Sequence, residues 1–374
     1  MPFVVRPEDR RRFRRCRRQW DLGATTRRNL EPARPAPALD LDRALRDALA
    51  VYYFPGMWEW NRNVVLPLTH QALEKGLTRQ RDALAADTVV PDHFEADLVE
   101  GRAILDRYLA WAPSVDRFWP VRVETDFDVA LPDHRNPGHD LVSESGDPIR
   151  YEGRVDLLVV DEHDAYWVVR HQLSPSGFAD PDLLALDDES TAACWAWELF
   201  YLGMRIAGTI HNELRPGGQP PDPAAPVTRP RASHAFARAR DAARDAIPGH
   251  RRMYAQASET PTEVVVEEGG TMFRRTRIPR PPEELAAMGR NLVAEAQEMT
   301  AGGLVPYPNP AAEHCLACGF RPPCLAMTAE DDPEPILRAA YRERPPVTPQ
   351  EGRLGAVTWS MNRGAAPPPR WRGR

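Results

Sequence analysis

The sequence predicts an α/β fold: a mixed central sheet flanked by helices, with the two ends of the chain joined by a four-cysteine metal centre. Three observations lead there. The apolar spacing is helical up to about residue 111 and changes to alternation after Pro120. Strand patterns and helical patterns then interleave, which favours a sheet covered by helices over separate all-α or all-β units. Finally, three of the five cysteines crowd the C-terminal part as C-x2-C-x5-C. We expect one domain over 1–344 and a disordered Pro/Arg-rich tail over 345–374, which ends APPPRWRGR.

The elements follow in order. PEDRRRFRRCRRQW (7–20) reads as a short basic helix carrying Cys16. Residues 40–54, 66–86 and 95–111 have apolar residues at helical spacing. VRVETDFDVAL (121–131) alternates as a strand does, as do IRYEGRVDLLVV (149–160) and YWVVRHQL (166–173), with DEHDA as a hairpin turn between the last two. Residues 187–202 form a helix rich in Trp and Ala, and RIAGTIHNEL (205–214) is a further strand. RPGGQPPDPAAP (215–226) is a loop. Residues 262–278 suggest a hairpin around Gly269–Gly270, and two prolines open a helix over 282–299.

Composition narrows the function classes. With 42% hydrophobic and 27% charged residues among 374, the chain can bury a sizeable core. No apolar run reaches the length of a membrane span, and MPFVVRPEDRRRF lacks a signal-peptide core, so we expect a soluble cytoplasmic protein with no membrane partner. The net charge of −6 hides an asymmetry: residues 1–30 hold ten Arg against Glu8, Asp9 and Asp21, or +7, leaving −13 on the rest. Such a basic segment can grip an anion. Arg10, Arg11, Arg12, Arg14, Arg15, Arg17 and Arg18 share one helix, with Trp20 after them. Guanidinium groups match phosphates bidentately and Trp can stack a base, so Arg14, Arg17, Arg18 and Trp20 are candidate nucleic-acid contacts. The plain alternative is a helix paired with the acidic body.

Cys315, Cys318 and Cys324 need a fourth ligand to close a site, and Cys16 is available. Thiolates suit zinc or an iron–sulfur cluster, and spacing alone leaves both open. His314 is a spare zinc ligand. Cys194, within an apolar helix, reads as a buried thiol.

Cys16 in RRCRRQWDLG, GRVD at 153–156, the strand at 166–173 and HCLACGFRPPC at 314–324 together resemble the RecB-like branch of the PD-(D/E)XK nuclease superfamily. More narrowly, they resemble its iron–sulfur members: AddB-type helicase-nucleases, CRISPR-adaptation exonucleases and phage exonucleases. The resemblance implies a PD-(D/E)XK nuclease-like core, a [4Fe-4S] cluster on Cys16, Cys315, Cys318 and Cys324, and DNA as substrate, as single strands or ends. It also implies a helicase or DNA-repair partner. In that family two carboxylates bind Mg2+ or Mn2+, which polarises the phosphodiester and activates water, and a lysine supports the developing charge.

Carried onto this chain, the first acid is Asp156, but the second acid falls on Arg170 and the lysine on Gln172. A metal-binding helical His would fall near Arg46. Arg170 could occupy the cation's place by pairing with Asp156, an interaction of about 4 kcal/mol at 4 Å for an effective dielectric near 20. A degenerate, inactive nuclease centre is therefore expected. Two other readings stay open. In one, Glu152, on the same face of a regular strand as Asp156, supplies the second carboxylate of an active metal-dependent exonuclease, with Glu189 and Glu198 as remoter acids. In the other, the cysteines bind zinc and staple a protein-interaction module. His171, facing away from Arg170 and Gln172, reads as a core histidine.

Overall fold

In the computed structural model the described residues are 2–33, 39–84, 93–217 and 263–344. Residues 1–344 form one compact unit. The expected tail disorder and most of the 215–226 loop lie outside the described residues.

The chain begins with β1 (Phe3–Val5), α1 (Pro7–Arg15), α2 (Arg17–Gly23) and β2 (Leu30–Pro32). Three long helices follow: α3 (Leu41–Tyr52), α4 (Arg62–Asp82) and α5 (Phe94–Val115). Then come β3 (Phe118–Ala130), β4 (Ile149–Asp161), β5 (Tyr166–Leu173), α6 (Pro181–Ala185), α7 (Asp188–Phe200) and β6 (Ile206–Leu214). The hairpin β7 (Val265–Gly269) and β8 (Phe273–Pro279) leads into α8 (Pro282–Thr300). Short helices α9 (Ala312–Cys315), α10 (Arg321–Thr328) and α11 (Glu334–Ala340) end at β9 (Tyr341–Glu343).

The expected mixed sheet is present. Seven strands run in the order β1-β4-β5-β6-β8-β7, with β3 on the other edge of β4. β1 lies parallel to β4 and β5 parallel to β6; the remaining pairs are antiparallel. One face packs on α3, α4 and α5 through Leu45, Leu49, Leu105, Leu157, Trp167 and Ile210. The other packs on α1, α7 and α8 through Phe13, Leu158, Val168, Cys194, Trp197 and Leu292. A small separate ladder, β2 with β9, joins the two ends of the domain. The basic helix read over 7–20 is two helices: Cys16 adopts an extended conformation and breaks it.

The strands predicted at 121–131, 149–160 and 166–173 match β3, β4 and β5 closely because alternation was strong there. Asp161 secures the turn after β4, accepting the backbone N–H of His163 and Ala165 and the indole N–H of Trp167. Gly208 has φ +159°, and a Cβ there would stand 2.1 Å from the carbonyl oxygen of Ile278. Only glycine fits this close crossing of β6 and β8.

The core also holds a buried polar network. Arg275 bonds Asp116 at 2.6 Å and the hydroxyls of Tyr108 and Tyr53 at 3.0 and 3.2 Å. Both charged side chains are almost wholly buried, at 1% and 4% exposure. Burial raises the carboxyl of Asp116 above its usual range and Arg275 opposes that rise. Removing one member of such a pair strands the other charge. Arg275→Met is expected to lower unfolding stability by about 3–5 kcal/mol. Adding Asp116→Leu should recover much of that loss, as read from urea unfolding midpoints.

Candidate functional site

β4 shares one edge between two partners. β1 covers Ile149–Tyr151 and β5 covers Leu157–Val160. Between them β4 and β5 part, and this fork is where Asp156 stands. Its carboxylate accepts the backbone N–H of His171 at 2.9 Å, replacing a missing rung of the ladder. Two residues further, the N–H of Leu173 donates to Asp42 at the start of α3, at 2.6 Å. Two carboxylates therefore satisfy the free edge of β5.

The fork is ringed by charge. Arg46, one turn after Asp42 on α3, pairs with it at 2.9 Å. Burial works against the charge of Arg46, and Asp42, Asp156 and Glu124 more than restore it. Its Nε is buried without a hydrogen-bond partner among the described residues. Asp156 is raised by burial, against which Arg46, the His171 N–H and Arg170 act. The structure thus brings three of the expected positions together: Arg46, Asp156 and Arg170.

The contacts differ from expectation in several respects. Arg170 makes its ion pairs with Asp187 and Glu189 at the start of α7, at 3.3 and 3.4 Å, and acts on Asp156 as a neighbouring charge. The cause is local: Asp187, which caps α7, also reaches the guanidinium of Arg170. Gln172 turns to Glu213 at 3.3 Å, a buried acid held mainly by Arg274. Glu152 pairs with Arg6 at 2.8 Å. It stands four residues from Asp156, about 13 Å along a strand, too far to share one ion. Nor does the regular alternation persist. Tyr151 and Val155 face the α7–α8 layer while Leu157 and Val159 face the α3–α5 layer, so β4 turns over at Asp156. Glu189 is shared by Arg11 and Arg170, and Glu198 accepts the N–H of Ile206.

Sequence reasoning missed Glu124. The pairs Val123↔Leu157 and Thr125↔Val155 place it opposite Asp156 on β3. Its φ is +42°, rare for a non-glycine residue. Burial, then the charge of Asp156, pushes its carboxyl up to about 7, while Arg154 at 3.2 Å opposes the rise. Asp42 was missed as well. Only strand register and helix placement could have revealed either.

Most of the arginines read as one helix are paired with acids of α7 and α8, and Arg10 is buried. Arg10 bonds Glu295 at 2.7 Å and Asp188 at 3.2 Å. Arg14 pairs with the same two acids, Arg11 with Glu189 at 2.9 Å, and Arg17 with Glu298. Trp20 is fully buried, edge-on to Phe13 at 5.0 Å, so it offers no stacking face. The break at Cys16 rotates α2 so that Trp20 enters the core. Trp60 is 53% exposed, whereas Trp195 and Trp197 are buried.

All four cysteines of the expected centre are free and half-buried, and burial and the thiols of Cys16, Cys324 and Cys315 raise that of Cys318. Other contacts seat the C-terminal segment on the N-terminal helices. The side-chain amide of Asn309 donates to the carbonyl of Arg15, and the N–H of Arg18 to that of Tyr307. N–H groups reach the sulfurs too: the backbone N of Ala311 lies 3.4 Å from Cys315 Sγ, and Arg18 Nη1 3.6 Å from Cys324 Sγ. Four thiols with N–H donors suit, in donor chemistry, a thiolate-bound metal centre. No group of three or more His, Cys, Asp or Glu among the described residues is arranged to hold a metal ion. His314 Nε2 bonds the carbonyl of Asn309 at 2.7 Å. Cys194 is fully buried and its thiol is pushed up to about 12 by burial.

No family model matches the chain, and no curated protein does. Among solved structures, that of SSO0001 aligns at 14% identity over 77% of this chain and 85% of that one, with a TM-score of 0.27. Among the described residues no helix is long and apolar enough to cross a membrane.

His171, beside Asp156, is buried, stacks on Tyr53 and bonds Asn212 through Nδ1 at 2.9 Å. Burial, reinforced by Arg275 and Arg46, lowers it to about 3. Its native state thus stays neutral where the unfolded chain, with an ordinary value near 6.5, takes up a proton. Its contribution to stability is complete above about pH 6.5 and shrinks as pH falls towards 3, by up to about 1.4 kcal/mol per pH unit. His171→Asn should flatten the pH dependence of unfolding in that window, a change that denaturant titrations from pH 4 to 7 will detect.

Proposed function

We propose that this chain is a DNA-binding, RecB-like PD-(D/E)XK-family protein with a [4Fe-4S] cluster and a nuclease centre that no longer cuts. One observation carries the reading of the centre: Arg46, Asp156 and Arg170 meet at the fork of β4 and β5, at the positions where the resemblance expects a histidine ligand and two acids. The guanidinium groups of Arg46 and Arg170 lower the carboxyl of Asp156 against the effect of burial, a part that Mg2+ or Mn2+ would otherwise play. Gln172, where the lysine is expected, is engaged elsewhere.

Cys16, Cys315, Cys318 and Cys324 would hold the cluster. Bound there, it would supply a rigid joint between the N-terminal helices and the C-terminal segment, with one-electron chemistry available. DNA as the partner rests on the resemblance, because the arginines expected to grip phosphate are mostly paired within the protein.

Glu124 favours a second reading. It faces Asp156 across β3 and β4, and two carboxylates are what a divalent cation needs. This would be a metal-dependent exonuclease whose second acid comes from β3.

Incubation with labelled single-stranded and blunt-ended DNA in Mn2+ separates the readings. We expect no cutting by the native protein, together with a mobility shift that weakens steeply with salt. Cutting abolished by Asp156→Ala and by Glu124→Gln would establish the second reading instead. Absence of any shift would remove DNA from both. In the joint variant Arg46→His, Arg170→Glu, Gln172→Lys, calorimetry should show saturable Mn2+ binding that the native chain lacks.

A further inference from the structure

The sequence presents Arg18 as one more phosphate-gripping arginine, but the fold gives it a different surrounding. Its Nη1 lies 3.2 Å from the carbonyl oxygen of Cys324, 3.6 Å from Cys324 Sγ and 3.0 Å from Thr328 Oγ1. Its backbone N–H donates to Tyr307 at 3.2 Å, so the base of the side chain is fixed as well. Arg10, Arg11, Arg14 and Arg17 each make an ion pair with Asp188, Glu189, Glu295 or Glu298. Arg18 instead spends its donors on α10, at the last cysteine of the cluster motif.

We propose that Arg18 is a positioning residue for the sulfur centre, holding Cys324 in place and setting how readily the centre takes up an electron. The inference rests on the reading that the four cysteines hold an iron–sulfur cluster. The physical argument is electrostatic. A guanidinium donating to a ligand sulfur offsets negative charge on that sulfur, and hydrogen bonds to cluster sulfurs together with net charge set reduction potentials. Uptake of one electron from a reductant adds a negative charge next to Arg18, which therefore favours the reduced state. Because the same side chain ties the Cys324 carbonyl and Thr328, it also resists loss of that ligand when α10 frays.

The experiment uses the full chain, reconstituted anaerobically with ferrous iron and sulfide. Arg18→Gln, Arg18→Lys and Thr328→Ala are compared with the native protein by absorbance near 400 nm, by reduction potential from a mediated dye titration, and by the rate at which a chelator bleaches the colour. We expect Arg18→Gln to load but to titrate at a more negative potential and to bleach about ten-fold faster. Arg18→Lys should largely restore the potential, and Thr328→Ala, which keeps the charge, should leave it where it was. An Arg18→Gln protein that loads with native potential and native lifetime overturns the inference and leaves the cluster reading standing. A native chain that stays colourless, or binds zinc alone, overturns both. If Arg18→Gln fails to load, the Arg18→Lys and Thr328→Ala potentials decide. Equal shifts in both would reduce Arg18 to a packing role and overturn the proposal.

Discussion

Three consecutive acids at the start of α7 hold this molecule's charge pattern together. Asp187 and Glu189 take Arg170 from β5, while Asp188 and Glu189 take Arg10, Arg14 and Arg11 from α1. A helix N-terminus favours negative charge, so the acids sit where the backbone already welcomes them. Burial alone would raise Asp187; Arg170 and the hydroxyl of Ser190 override it and keep the carboxyl below its ordinary range. One turn of helix thus docks the N-terminal arm and fixes the guanidinium that overlooks Asp156.

This arrangement changes what the fork can do. An empty carboxylate pair invites a cation because its own repulsion must be relieved. Here Arg46, Arg154 and Arg170 stand among acids and each is ion-paired, with Asp42, with Glu124 and Asp126, and with Asp187 and Glu189 respectively. The ladder is interrupted at the same place, and the backbone donors it frees are taken by Asp156 and Asp42. The electrostatics of the fork are those of a salt-bridged joint.

Most of the sheet and the long helices were legible in the sequence because their periodicity was strong and uninterrupted, as in YWVVRHQL for β5. The convergence of Arg46, Asp156 and Arg170 could be anticipated through the family resemblance. Glu124 could not, because its place opposite Asp156 depends on the register of β3 and β4, and alternation alone says nothing about which residue faces which. Glu152 misled because the face rule assumes a regular strand, and β4 turns over just where the rule was applied. The arginine helix misled for a related reason. Composition revealed its charge, but the acids that neutralise it lie some 180 and 280 positions away. Short elements such as β1, β2 and β9 carry too few residues for any period to register.

The zipper of β2 with β9 has a consequence for how the chain folds. Residues 30–32 find their partners at 341–343, more than three hundred residues along the chain. The arginines of α1 reach nearly as far for Glu295. Closing that ladder brings together segments separated by almost the whole domain, so it is a contact of very high sequence separation that forms late in folding.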